Sequence, residues 1–336
     1  MGFFRWLSGG SPEEQKARQE MQRKIEETRQ LEIVRQEGDL ELLHSGGIPS
    51  EARARLQELG KTAGEQDAIF TSNLAPDEIA LLRRHGYRPR GLVTGSAVWH
   101  VGQAYAGMQD CEVYQLSQAY DRATELAVSR LKQERDLIGA DGVVGVRMSM
   151  VRHEWAGKTI EVQLVGTAIQ GPDRSSQRPF LSDLSGQEWW ALHSAGYDSV
   201  DLVWGFCTWF LFTSAMDELS FRGWNNVEMS HWSDGLSRAR TRAEEYLYNR
   251  AKTEDCDGVT GVTIERHLNE VRLSGPGENP AYEREHHNLV VSIIGTSIRE
   301  RPDAAQKQRR TRTVLSLKDG KIKPMVLSAA DVTLYD

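Results

Sequence analysis

Three histidines in the second half of the chain are the first candidates for chemistry. His267, His286 and His287 fall on two successive β-runs, with Glu283 and Glu285 close by in sequence. Imidazole is the commonest protein ligand for a metal, so a hairpin that gathered the three would form a metal site. The competing reading is a polar connection between strands, rich in Pro, Gly and Glu. Cys111, Cys207 and Cys256 are isolated, and none lies in a CxxC pair. They argue against a thiolate zinc site and a disulfide framework, and for a reducing, cytoplasmic compartment. The chain contains no GxSxG elbow, P-loop or GxGxxG fingerprint. Asp141 and Asp257 each precede glycine at a helix exit, where Asp-Gly is a turn device rather than a catalyst. These residues point away from an enzyme and from a bound cofactor, the three histidines being the one metal candidate.

Aromatic side chains carry more information. Six of the nine tryptophans lie between Trp189 and Trp232, and Leu202–Phe212 is almost continuously apolar. A strand exposed on one side would alternate, so both faces of this one need a cover. One cover is the helix of its own domain. The other could be a neighbouring subunit, the partner repeat or lipid. Trp204, Phe206, Trp209, Phe210 and Phe212 are read as an oligomer interface, ahead of an ordinary core and of membrane contact. At the N-terminus, Phe3, Phe4, Trp6 and Leu7 surround Arg5 and suggest a small membrane-surface or partner contact, with a disordered terminus as the alternative.

The elements that position these residues come in two sets. Phe70-Thr71-Ser72-Asn73-Leu74 and Phe180-Leu181-Ser182-Asp183-Leu184 stand 110 residues apart, as do Gly86-Tyr87 and Gly196-Tyr197, and Gly95 and Gly205. Asp141-Gly142-Val143 with Gly145-Val146 recurs 116 residues on, and Gly166-Thr167 recurs 129 residues on. Matches in one order, separated only by loop-sized insertions, indicate tandem duplication. Each set reads as a short capped helix, a β-run, a long helix and two further β-runs. The long helices are expected over 117–138 and 233–253, each capped by its serine. The fold class is therefore α+β: two tandem β-α-β-β domains, each a mixed sheet packed by a long helix.

A helical arm precedes them, opened by the Ser11-Pro12-Glu13-Glu14 capping box, with apolar residues sparse enough for a solvated or coiled-coil helix. The boundaries are expected at 1–68 for the arm, 69–171 and 178–300 for the repeats, and 301–336 for a basic linker with a C-terminal hairpin around Asp319-Gly320. From residue 299 to 323 the chain carries nine basic and three acidic residues, a solvated linker able to meet acidic lipid or nucleic acid. With 41 basic and 48 acidic residues overall, the net charge of −7 argues against a protein that coats nucleic acid. No apolar stretch reaches the roughly 18 residues needed to span a bilayer. The apolar opening is too short for a secretion signal.

The run Leu137-Ile138-Gly139-Ala140-Asp141-Gly142-Val143-Val144-Gly145-Val146 resembles the ALGADAVVGV signature of the YbjQ-like family, which carries a heavy-metal-binding label. Leu92-Val93-Thr94-Gly95 and Gly166-Thr167-Ala168 match further elements, and Asp257–Val262 with Ile294–Ser297 repeats the pattern. The resemblance covers about residues 90–170 and 200–299. It implies a compact α+β domain similar to ones that form homopentameric rings, and no established catalytic activity. The expected protein is thus a bacterial, cytoplasmic, non-enzymatic scaffold that self-associates into a ring or higher oligomer. Its arm would meet a partner or the inner membrane surface. The alternative is a metal- or small-ligand-binding module in stress handling.

Overall fold

A computed structural model of the chain describes residues 12–62, 70–102, 109–153, 159–172, 178–214, 217, 226–272, 285–301, 313–315 and 324–326. It is a mixed α+β protein. Helices α1 (Pro12–His44) and α2 (Ser50–Thr62) come first. Next are α3 (Pro76–Arg84), β1 (Arg88–His100), β2 (Cys111–Glu112), α4 (Tyr114–Leu137), β3 (Gly142–His153) and β4 (Thr159–Gln170). Then follow β5 (Phe180–Leu181), α5 (Gly186–Ser194), β6 (Tyr197–Leu211), α6 (Ser230–Thr253), β7 (Gly258–Arg272) and β8 (Glu285–Glu300). The short strands β9 (Thr313–Leu315) and β10 (Pro324–Val326) pair antiparallel at the C-terminal end.

Two four-stranded sheets form, one in the order β1-β4-β3-β5 and one in the order β2-β6-β8-β7. Each borrows its short strand from the other half of the chain. β5 adds in parallel to β3, with Gly142 opposite Phe180 and Val143 opposite Leu181. β2 adds antiparallel to β6, with Cys111 opposite Phe210 and Glu112 opposite Trp209. In layers, the molecule runs from the first sheet to α4, the second sheet and α6, because α4 contacts β1, β4 and β6 while α6 packs on β6 and β8.

The local chemistry explains why the helices settle there. Helix α6 buries one stripe at four-residue spacing, Gly235, Ala239, Ala243, Leu247 and Ala251. Helix α4 buries the corresponding stripe and a second one that includes Ser117, Tyr120, Thr124 and Val128. Small residues let helix and sheet touch. A Cβ on Gly95 would stand 2.0 Å from the Ala127 carbonyl oxygen, and one on Gly205 would stand 2.1 Å from that of Ala243.

In β3 and β7 the register shifts beside Gly145 and Gly261, whose φ of +63° and +68° suit a glycine bulge. Ser185 caps α5 in the expected box with Glu188. The long helices differ from expectation. They start at Tyr114 and Ser230, three residues early, and neither has a side-chain cap. The Ser117 hydroxyl instead accepts from Thr208 N at 2.9 Å and joins α4 to β6.

Among the described residues, α1 is docked at its C-terminal end and α2 through Leu56, which joins the core cluster. Arg130 of α4 donates to the carbonyls of Gly47 and Leu43, and Asp39 accepts from Ser50 N at 2.8 Å. Met21, Ile25, Leu31 and Val34 of α1 are exposed. Among the described residues, no helix is long and apolar enough to cross a membrane.

Candidate functional site

The most developed site is the seam between the two halves, where α4 meets β6. Tyr120 stacks on Phe206 with ring centroids 5.8 Å apart. Trp204 Nε1 donates to Asp121 at 2.9 Å, and the Arg250 guanidinium sits 3.9 Å over the Trp204 ring while donating to the same carboxylate at 2.7 Å. A Lys132–Asp201 ion pair closes the far end. Trp204, Phe206 and Phe210 share one buried cluster with Leu116, Ala119, Tyr120 and Ala123.

Of the five residues expected at an oligomer interface, this arrangement covers Trp204, Phe206 and Phe210 within the chain, while Trp209 and Phe212 stay half-buried. The second cover of β6 is α4 of the same chain, so Trp204, Phe206 and Phe210 are buried without a neighbouring subunit. Trp209 packs with the α6 cluster, and Phe212 stacks on His286 at 4.7 Å. Burying an aromatic strand face is strongly favourable whoever supplies the cover, and the pattern of the strand does not say who does.

Beside the seam lies a cavity of about 380 Å³ lined by Tyr114, Gln118, Asp121, Trp204, Tyr246 and Arg250, among others. Its one strong cation, Arg250, is already paired with Asp121 and stacked on Trp204.

The three candidate metal histidines are not brought together. His286 and His287 sit opposite Val271 and Glu270, whereas His267 sits opposite Val290, several residues along the ladder. Adjacent residues of a strand point to opposite faces. His286 is buried against Phe210 and Phe212, and its Nδ1 accepts from Thr213 N at 3.1 Å. The His287 ring lies edge-on to Trp232, and His267 is exposed beside Glu265. Among the described residues, no three His, Cys, Asp or Glu side chains converge as metal ligands would. Glu283 and the segment containing Phe3, Phe4, Trp6 and Leu7 lie outside the described residues, as does the basic run 306–312.

One cluster has no sequence motif to announce it. His231 Nε2 lies 2.6 Å from Asp110 and its Nδ1 lies 3.3 Å from Asp217, which also accepts from the Ser214 hydroxyl at 2.6 Å. Burial pulls the His231 pKa down, but the hydrogen bond and charge of Asp110, with those of Asp217, outweigh it and raise the pKa above the ordinary value. The cluster is not a nucleophilic triad. Ser214 donates to Asp217, and both imidazole nitrogens face carboxylates, which leaves no base for the serine. It is a clip that holds the start of α6 to the segment leading into β2.

A cover helix shared between two sheets, exchanged short strands and an aromatic seam join the two halves of the chain. The chain is 35% identical over 200 residues to the encapsulin nanocompartment protein Rv1762c of Mycobacterium tuberculosis, an alignment covering 57% of this chain and 76% of that protein. The chain belongs to the family of that mycobacterial protein. No family model matches the chain. No solved structure matches it.

Proposed function

We propose that the protein is a non-enzymatic, self-associating structural component of a nanocompartment system, built from two YbjQ-like modules in tandem over 69–171 and 178–300. Kinship with a protein named for the encapsulin nanocompartment is the observation that carries this reading. Paired contacts support the tandem part. Ser72 Oγ bonds Thr167 Oγ1 at 2.9 Å, and Ser182 Oγ bonds Thr296 Oγ1 at 3.0 Å. Asn73 N and Asp183 N donate to the same two threonine hydroxyls.

The exposed apolar residues of α1 support a role for the arm in reaching a partner or a membrane surface. The free state of Cys111, Cys207 and Cys256 supports a cytoplasmic location. Sedimentation velocity and negative-stain microscopy of the purified protein test the reading. Concentration-dependent assembly is expected, and a monomer across the whole micromolar range overturns it.

A further inference from the structure

Within one chain, each half completes the other's sheet, and the pieces needed to repeat that exchange are present but unused at the two ends. The second half hands its leading segment to β3. Phe180 N donates to Asp141 O, Ser182 N to Val143 O, Val146 N to Ser182 O and Gly145 N to Leu184 O. The equivalent edge of the second sheet is β7, where Asp257, Val259, Gly261 and Val262 take the same places. β7 ends its sheet with no strand beyond it among the described residues. The difference in cover is large: Val146 is 1% exposed and Val262 is 49% exposed.

A segment able to fill that edge also exists. Phe70–Leu74 is held on its own sheet by the same serine–threonine bonds as Phe180–Leu184, and among the described residues the main-chain N–H and C=O of Ser72 make no backbone hydrogen bond, unlike those of Ser182. Gly142 and Gly258 add an independent sign. A Cβ on Gly142 would stand 2.2 Å from the Phe180 ring, so that glycine is the floor on which the ring lies. At Gly258 the nearest side chain is Ile298 at 3.8 Å, so the floor is there without the ring.

The other half of the exchange is likewise open. Val113 N donates to Thr208 O as β2 joins β6, and Ser117 accepts from Thr208 N. At the equivalent places, Val227-Glu228 leads into α6 with Ser233 following, and among the described residues β1 ends its sheet with no strand beyond Val98 and Trp99. Val227 is 60% exposed and Val98 is 64% exposed.

We propose that chains associate head to tail by this same exchange. Phe70–Leu74 of one chain adds in parallel to β7 of a second along 258–262. Val227-Glu228 of the second chain adds antiparallel to β1 of the first at Val98–His100. The occupant is a second copy of this chain, because it carries both matching segments in the required order. Strand addition of this kind draws its affinity from main-chain hydrogen bonds at an open edge. The contact is heterologous, so it propagates into a ring or a filament. Thr94 and Ser96 stand where the internal seam has Trp204 and Phe206, so the joint between chains lacks an aromatic core and dissociates on dilution.

This inference rests on the self-association proposed above, and the test separates the two. Gly258→Val occupies the floor for the incoming Phe70 ring, and Phe70→Asp spoils the segment that enters. Neither position lies in the buried core, and circular dichroism with thermal melting verifies that both variants fold. By sedimentation velocity, each variant alone is expected to remain monomeric where the wild type assembles. Mixed, they are expected to give a dimer and nothing larger, since one keeps a sound head and the other a sound tail. Assembly of either variant at the wild-type level, or a mixture that stays monomeric, overturns the head-to-tail contact. A wild type that never assembles overturns the structural-component reading as well.

Discussion

Gly95 lies so close to Ala127 that the helix carbonyl occupies the place where a Cβ would be, 2.0 Å away. The clash would be with backbone, so α4 itself must move to relieve it. Gly95→Ala is expected to cost about 3 kcal/mol or more, at the upper end of overpacking penalties. Because α4 also carries the seam to the second sheet, both sheets should loosen together. Urea denaturation followed by tryptophan fluorescence checks this, and two separate transitions would contradict a shared helix.

The seam aromatics are internal, which gives a sharp contrast with an oligomer surface. Phe206→Ala removes a buried ring stacked on Tyr120 and is expected to lower stability by about 3–5 kcal/mol. Under conditions where the variant remains folded, its sedimentation behaviour should match the wild type. Selective loss of assembly at unchanged stability would return Phe206 to a subunit interface.

Much of this was legible in the residues, and the parts that were not have identifiable causes. The repeats show in the sequence because glycines at 95, 145 and 166 and at their partners answer backbone needs that few residues meet. The cover of β6 is not legible. Ser117, Asp121 and Thr124 read as the polar face of an amphipathic helix, yet α4 turns that face to β6, where Ser117 accepts from Thr208 N, Asp121 accepts from Trp204 Nε1, and Thr124 is buried. The exchanged strands β2 and β5 are two residues long, too short for any alternation to register. The His231 clip joins residues 121 apart in sequence, and no spacing rule brings Asp110 to mind. The three histidines proposed as metal ligands stand apart in the described residues, since His286 and His287 as neighbours face opposite sides and His267 lies opposite Val290, further along the ladder.

Cys207 offers a test of how tightly the second sheet packs on α6. It is buried in the cluster with Ala239, Ala243 and Val291, and burial pushes its pKa up to about 12, with Glu112 adding to the effect. The thiolate is the reactive species, so Cys207 should resist alkylation at pH 8 while Cys111 and Cys256, both partly exposed, react. Mass spectrometry of iodoacetamide-treated native protein distinguishes the three. Rapid labelling of Cys207 would mean that α6 lifts off the sheet.

Asp183 ties the pH dependence of stability to the difference between the two halves. Burial raises its pKa to about 6, although the Thr296 hydroxyl bond and the Arg147 charge oppose the rise. The native state therefore holds a proton that the unfolded chain has already lost between about pH 4 and pH 6, so stability falls as pH rises through that window. At pH 7 the ionised carboxylate costs about 3 kcal/mol, from a shift of about two units at roughly 1.4 kcal/mol each. The first half shows the neutral solution. Asn73 accepts from Thr167 Oγ1 at 2.6 Å and donates from Nδ2 to Gly145 O at 2.8 Å. Asp183→Asn copies that arrangement, with Gly261 O as the acceptor in the place of Gly145 O. It should raise the melting temperature at pH 7.5, change it little at pH 4, and flatten the slope between them. Equal effects at both pH values would show that the carboxyl does not titrate in the folded protein.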